Sequence, residues 1–564
     1  MTSAAVIDPY EPRPTFLQRN ADAVAATVVF VLTVFLTVIS FPPFKTPEFA
    51  YVMLTPGIFW AYTRPRFKLF AGTLLGAQAV AWILLLGWLH NVTWVGLFLL
   101  GPFVGAWVGS WYLVAWWTLP RMPGKPTPTR LIAMLGLAGA WVLIEWTRTW
   151  LLGGFPWLPL SASQWTMVSM LQVAAYTGAS GISFVIVAVN LGFGAYAHRL
   201  FREGAKGLNK RSQEFFLALF LVLACFSIHV QSAFNRAHFT APFARVAFVQ
   251  PYIPQNQKWD AARESEIRDV LLDRTLAAAA TKPDLIVWPE AATPWAVRGD
   301  DNIKAFVEAL ARRAAAPLLL GSIGFEHRGT PAEKWFNGAF VVMPSGGLQS
   351  AYYAKRQLVP FGEFVPLRPL LGWIRKFVPI GDDFTPGESA APLLVPLRDA
   401  TVAVAPLICY EDIYPSLARR SAYADAGLLV VVTNNGWFGE GGAAYQHAAH
   451  SVLRAVENRR PVLRCGNGGW SGWIDEFGAV RGVLTRDPSG KIDTRPGLED
   501  GTIYFRGTAT IEVKRDARWV GRNSFYTQHG EWFLVVCAGL ALFALALLKT
   551  AEVPASIAAG TAPR

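Results

Sequence analysis

Apolar residues along this chain come in two textures. Up to about residue 235 they form long runs, near residues 24–41, 47–63, 67–89, 92–118, 130–151, 180–200 and 214–233, and one more follows at 531–549. A bilayer core about 30 Å thick needs roughly 20 mostly apolar residues as helix, so each run predicts a membrane span. From Phe243 onward the runs shorten. ARVAFVQ, DLIVW, PLLLGSI, GAFVVM, TVAVAPLIC, GLLVVVT and PVLRC read as buried strands, and the polar stretches near 258–279, 301–314 and 443–460 read as helices. The pattern predicts a membrane α-helical bundle of about eight spans and an α/β domain. The expected divisions are a leader (1–23), a seven-span region (24–233), the α/β domain (234–530), a last span (531–549) and a tail (550–564).

Composition agrees: of 564 residues, 53% are hydrophobic and only 16% charged, which excludes an ordinary soluble protein. The net charge of +12 is distributed between spans and not gathered in one stripe, so no nucleic-acid partner is expected. The cations cluster in alternate short loops: Arg64, Arg66 and Lys68; Arg121, Lys125 and Arg130; Arg199, Arg202, Lys206, Lys210 and Arg211. Basic loops stay in the cytoplasm, so both termini are expected there and residues 235–530 outside. The first run lacks a cleavage site and reads as a retained anchor. Pro42, Pro43, Pro47 and Pro56 make the first two spans the least regular, but losing both together leaves the sidedness unchanged. Trp111, Trp116, Trp117, Trp146, Trp150 and Trp157 fall near span ends and read as interfacial anchors. The uncharged segment from Gly153 to Trp165 suits either a lipid-binding mouth or a structural loop.

Chemistry concentrates at three strand ends. LIVWPEAATPW carries Glu290, YYAKRQLVPFGEFVP carries Lys355 and Glu363, and APLICYEDIYP carries Cys409. Taken singly, such a cysteine is a small buried hydrophobe, the glutamate a helix initiator and the lysine a surface charge. Together they supply a nucleophile, a base and a cation for a developing oxyanion, the set that acyl transfer requires.

WPE, then K with PFGEFVP, then CYE, in that order, resemble the nitrilase (C–N hydrolase) superfamily. With the surrounding spans the chain is similar to the apolipoprotein N-acyltransferases. IEWTRTWLLGGFPWLPLSASQ, FVQPYIPQNQKWD and NNGWFGEGGAAYQHAAHSVLRAVENRRPVLR extend the resemblance over roughly residues 20 to 550. It implies an extracytoplasmic nitrilase-like αββα sandwich with Cys409 as nucleophile, Glu290 as general base and Lys355 as stabiliser of the tetrahedral intermediate. Glu363, Tyr410 and Glu411 would support them, and Trp259 and Trp437 would line the substrate site. The implied reaction takes an acyl chain from a phospholipid donor through a Cys409 thioester to the α-amine of a diacylglyceryl-apolipoprotein acceptor. It requires no metal and no cofactor. The implied location is the bacterial inner membrane with the catalytic domain on the periplasmic side, and a monomer is expected.

The chain departs from the family pattern at RCGNGGWSG, which contains Cys465, and at Asn435, where an acidic residue is common. Arg486 to Thr502 reads as an insertion. The segment Pro366 to Glu388 reads as an interfacial amphipathic stretch that touches lipid or closes over an acyl site, or as an ordinary helix packed on the domain. His447 and His450 read as structural, and Cys465 as kept apart from Cys409. Two rival functions are a membrane-anchored amidase that uses the same residues, and a transporter with an outer binding domain. The apolar segments argue against the first, and the three residue types at nitrilase spacing argue against the second.

Overall fold

The computed structural model describes residues 20–204, 212–258, 260–366, 368–373, 383–398, 400–495 and 501–550. Among them, seven helices are long and apolar enough to cross a membrane. These are α1 (Ala21–Ile39), α3 (Phe67–Leu85), α4 (Trp94–Thr118), α5 (Thr127–Thr147), α6 (Ala179–Glu203), α7 (Gln213–Ala233) and, at the end of the chain, α12 (Trp532–Thr550).

The second expected span differs. Residues 47–63 form a 3-10 helix, Pro47–Tyr51, and the eight-residue helix α2 (Thr55–Tyr62). A proline opens each piece, where its missing N–H costs nothing, and prevents one continuous helix. The segment still runs the height of the bundle. Asp22 at the start of α1 pairs with Arg66 at the start of α3 at 2.9 Å, so those two helices begin at the same end. Arg64, just after α2, reaches the Pro120 carbonyl at that end. Pro43, just before the segment, lies under Gly442 of the α/β domain, close enough that a Cβ there would sit 2.6 Å from its ring. The described basic turns and the α/β domain therefore occupy opposite ends of the bundle. Within it, Gly136 and Gly139 of α5 let α12 approach until an added Cβ would meet Ala544 or the Cys537 carbonyl, the small-residue packing that membranes favour.

In the α/β domain, β1 (Thr240–Gln250), β2 (Leu285–Val287) and β3 (Leu318–Glu326) are parallel, as are β7 (Ala400–Ile408), β8 (Leu428–Thr433) and β9 (Val462–Gly466). With β4 (Lys334–Met343), β5 (Gly347–Ala354), β6 (Leu393–Leu397), β10 (Gly472–Ile474), β11 (Val480–Val483) and β14 (Gly507–Asp516) they make two six-stranded sheets among the described residues, ordered β14-β1-β2-β3-β4-β5 and β11-β10-β9-β8-β7-β6. β12 (Thr485–Arg486) and β13 (Ile492–Asp493) form a separate hairpin. Side chains alternate between two cores. Val246, Phe248, Leu285 and Val287 face the second sheet, while Ala247, Val249 and Ile286 join Ile267, Leu271, Val307 and Leu310 of α8 (Glu264–Ala279) and α9 (Asp301–Ala314). Burial on both faces is why these strands read as unbroken apolar runs. On the far side, α10 (Pro415–Tyr423) and α11 (Ala443–Asn458) cover the second sheet, completing an αββα sandwich.

Gln446 of α11 joins the two halves. Its Oε1 accepts from Trp88 Nε1 (3.2 Å) and Trp157 Nε1 (2.9 Å), and its Nε2 donates to the Leu85 carbonyl (3.0 Å). Trp157 and residues 160–164 are therefore buried at a seam, whereas Trp150 and Leu152 are exposed. Trp111 is also not an interfacial anchor: it is wholly buried and donates to the Leu137 carbonyl. Glu145 and Arg148, the ionisable pair at the end of α5, pin the same seam. Glu145 accepts from Leu160 N at 2.6 Å and Ser183 Oγ at 2.7 Å, and Arg148 donates to the Trp157 carbonyl.

Candidate active site

Glu290 follows β2, Lys355 follows β5 (Gly347–Ala354), and Cys409 follows β7. Strand ends on a rigid sheet are where a fold can fix side chains to within fractions of an ångström. Gly321 on β3 allows the Glu290 backbone in: a Cβ there would stand 2.6 Å from the Glu290 Cα. All three side chains are buried.

The lysine sits between two carboxylates. Lys355 Nζ lies 3.3 Å from Glu290 Oε1 and 2.9 Å from Glu363 Oε1. Asn337 Nδ2 donates to the same two oxygens, at 2.8 Å each. Asn434 N donates to the other Glu290 oxygen at 3.0 Å, and Lys258 Nζ to the Glu290 carbonyl at 3.0 Å. Glu290 is thus held by donors on both oxygens, which keeps it in one orientation and in its ionised form.

Cys409 has φ +54°, a conformation uncommon for a side chain other than glycine. The strand stops there and the 3-10 helix Cys409–Ile413 begins, so the thiol stands at a sharp corner. Glu411 fixes that corner. Its carboxylate accepts from Ile408 N (2.7 Å), Tyr353 Oη (2.8 Å), Arg356 N (2.6 Å) and Gln357 N (3.1 Å), binding the turn to the segment that carries Lys355. Tyr410 donates to the Leu358 carbonyl at 2.6 Å, and the Lys355 ammonium lies 5.6 Å from its ring centre.

Burial and the neighbouring Glu290 carboxylate push the Cys409 thiol up to about 12. Burial also acts to raise Glu290, but Lys355, Asn337 and Lys258 outweigh it and hold the acid below its ordinary 4.5. Against burial, Glu363 and Glu290 hold the Lys355 ammonium well above 10.5. At neutral pH the arrangement is a thiol, a carboxylate able to take its proton, and a fixed cation. None of the three titrates near neutrality, while burial pulls the neighbouring Lys258 down to about 8, so the rate of thiol acylation is expected to stay flat from about pH 6 to about pH 7. A stopped-time pH profile checks this; a rise across that range would mean a free thiolate reacts instead.

The structure brings Glu290, Lys355, Glu363, Cys409, Tyr410 and Glu411 together. Trp437 lies in the 3-10 helix Asn435–Phe438 after β8 and is partly exposed. Trp259 lies outside the described residues, as do residues 367 and 374–382 of the 366–388 segment; within that segment Trp373 is exposed. Of the 486–502 stretch, Thr485–Arg486 pairs with Ile492–Asp493 in a small hairpin. All four cysteines are free, and Cys465 is sealed in the core with its Sγ near the Val249 and Val287 carbonyls. His447 and His450 are buried and bonded, the latter to Leu158 N at 3.3 Å. Sequence reasoning missed Asn337, Lys258 and Asn434. The only available signal was adjacency, since Lys258 precedes Trp259 and Asn434 precedes the GWFG turn.

Residues 245–514 match the carbon-nitrogen hydrolase family, and residues 34–192 match the apolipoprotein N-acyltransferase N-terminal domain. The apolipoprotein N-acyltransferase of Geobacter metallireducens is 33% identical over 416 residues, 72% of this chain and 72% of that protein. That of Caulobacter vibrioides is 30% identical over 448 residues, 74% of this chain and 81% of that protein. That of Methylococcus capsulatus is 33% identical over 351 residues, 61% and 64% respectively. Among solved structures, an amidase from Nesterenkonia sp. is similar at 18% identity and a TM-score of 0.36, covering 52% of this chain and 96% of that one. With both domain matches in chain order and relatives aligned through the bundle and the sandwich alike, this chain belongs to the apolipoprotein N-acyltransferase family.

Proposed function

We propose that the protein is a bacterial inner-membrane enzyme that N-acylates lipoproteins, with residues 234–530 forming its catalytic domain on the periplasmic side. The Cys409 thiol attacks an ester carbonyl of a phospholipid while Glu290 takes its proton. The oxyanion is met by the Lys355 ammonium and by the Tyr410 N–H, which, in the first turn of a 3-10 helix, has no acceptor inside that helix. The glycerol oxygen leaves with the proton from Glu290, giving a lysophospholipid and a Cys409 thioester. The α-amine of a diacylglyceryl-cysteine then attacks the thioester, Glu290 takes the amine proton, and the C–S bond breaks. The thiol regains its proton and the acceptor carries a new amide. Glu363 holds Lys355, Glu411 holds the nucleophile corner, and Trp437 and Trp259 contact the substrates. The enzyme acts as a monomer.

One observation carries the choice of a lipid over a small amide. Asn434 N holds Glu290, and in the same loop Phe438 rests on the spans, 4.4 Å from Trp88 between ring centres and bonded through its carbonyl to Asn91 at 2.8 Å. That connection supports a thiol at the level of the outer bilayer surface, where acyl chains arrive and water is scarce.

Product analysis tests it. Detergent-solubilised enzyme with a phospholipid carrying labelled acyl chains and a diacylglyceryl-cysteine peptide is expected to give labelled amide, stable to hydroxylamine, and lysophospholipid in equal amounts. Labelled free fatty acid without amide would assign a hydrolase.

A further inference from the structure

Behind the nucleophile lies a buried polar cluster that the proposed acyl transfer does not use. Asp412, three residues after Cys409, binds His447 Nε2 through Oδ1 at 2.8 Å. Its Oδ2 binds Ser451 Oγ at 2.5 Å and Arg464 Nη1 at 2.6 Å. His447 Nε2 also lies 3.2 Å from the Cys409 carbonyl oxygen. Asp412, His447, Ser451 and Arg464 are all wholly buried.

The protonation of His447 follows from its neighbours. Nε2 faces a carboxylate and a carbonyl, both acceptors only, so it carries a hydrogen. Nδ1 lies 3.3 Å from the Asn435 side-chain amide, assigned with its oxygen toward the ring. In that orientation the buried Asn435 Nδ2 has no partner. Turning the amide over gives its hydrogens two acceptors: His447 Nδ1 and Thr433 Oγ1, the latter 3.3 Å from the present oxygen. His447 is then neutral with its hydrogen on Nε2. Burial and the Arg464 guanidinium, which hold the ring below its ordinary 6.5 against the pull of Asp412, agree.

We propose that His447 is a positioning residue for the acylation step, setting the oxyanion donor through the peptide plane of the nucleophile. Its single Nε2–H is shared between Asp412 Oδ1 at 2.8 Å and the Cys409 carbonyl at 3.2 Å, and through the second contact it holds that carbonyl. The Cys409–Tyr410 peptide is planar and trans, so its C=O and N–H point in opposite directions, and fixing one fixes the other. The Tyr410 N–H is thereby aimed away from His447. Cys409 needs such a hold because its positive φ is uncommon for a non-glycine residue and the turn would relax without it. Trp157, from the seam with the membrane bundle, packs on the His447 ring at 5.4 Å between centres, so the bundle supports the donor from behind.

The inference rests on the thioester reading and is tested in the assay that measures it. Acyl-enzyme formation is followed by intact mass at increasing phospholipid for wild type, His447→Phe and His447→Gln, with thermal unfolding as a check on folding. Phenylalanine keeps a ring against Trp157 but offers no N–H; glutamine places an amide N–H near the position of Nε2. The maximal acylation rate of His447→Phe is expected to fall roughly 100-fold, the scale of a lost oxyanion donor, with half-saturation unchanged. His447→Gln is expected to recover at least about tenfold of that loss. If His447→Phe fails to fold, His447→Gln is compared with His447→Asn, whose amide reaches only the Nδ1 position and is expected to remain slow. A wild-type rate in His447→Phe, a change confined to half-saturation, or equal rates for glutamine and asparagine would overturn the proposal. Absence of acylation in the wild type would instead overturn the thioester reading.

Discussion

Cys409→Ala is expected to fold, to bind phospholipid as the wild type does, and to lose acyl transfer by roughly 10⁴-fold or more. Folding survives because one sulfur atom leaves a buried position, a change worth about 1 kcal/mol, and alanine meets the positive φ no worse than cysteine. Two described nucleophiles are out of play: Tyr410 is committed to the Leu358 carbonyl, and Cys465 is sealed under β1 and β2. The check is transfer of labelled acyl chain to the peptide amine, beside thermal unfolding. Transfer within tenfold of wild type would remove Cys409 from the mechanism.

Lys355→Met is expected to lose both activity and stability. The side chain keeps most of its length, but Glu290 and Glu363 then share one buried space with Asn337 as their only common side-chain donor among the described residues. Removing one partner of a buried ion pair costs about 3–5 kcal/mol, and loss of the cation at the oxyanion costs a further 10²–10³-fold in rate, roughly. The pH dependence has a definite sign. In the wild type Glu290 is held below 4.5, so its contribution to stability is full above that value and lost as pH falls through its folded value. In the variant one carboxylate takes a proton and its folded pKa rises above the unfolded one. Its deficit relative to wild type therefore grows from about pH 5 to about pH 8. Adding Glu363→Gln is expected to restore folding without restoring rate. Thermal unfolding across that range and single-turnover acylation measure the two effects separately; a pH-independent deficit would argue against the shared-carboxylate account.

How much of this was legible in the sequence depended on burial. β2, β7 and β8, flanked by core on both faces, showed themselves as apolar runs, and the residues just past β2 and β7, Glu290 and Cys409, stood out with them. β5, which delivers Lys355, did not: GLQSAYYA is mostly half-buried or exposed, so no apolar period marks it. β14 (Gly507–Asp516), at the sheet edge, was hidden for a related reason, since Thr508, Ala509 and Thr510 are only half-buried and Glu512 and Lys514 face outward. The broken span at 47–63 was legible as apolar but not as two short pieces, because composition does not report where a helix stops at a proline. Asn337 had no local signal at all, and Asn434 only its place before the GWFG turn. Asn434 meets Glu290 across 144 residues, and only the packing of one sheet on the other brings them into contact. His447 was visible only as a buried histidine, and its link to the Cys409 carbonyl needed the fold.

The central claim is that Cys409 carries the acyl group between two lipid substrates. Intact-mass spectrometry of purified enzyme mixed with a phospholipid of defined chains tests it most directly, followed by a chase with diacylglyceryl-cysteine peptide. The account predicts an adduct of one acyl chain that maps to Cys409, is cleaved by hydroxylamine, persists in water, and moves to the peptide amine on the chase. An adduct that decays to free fatty acid at the same rate with and without peptide, or one that persists in Cys409→Ala, would contradict it.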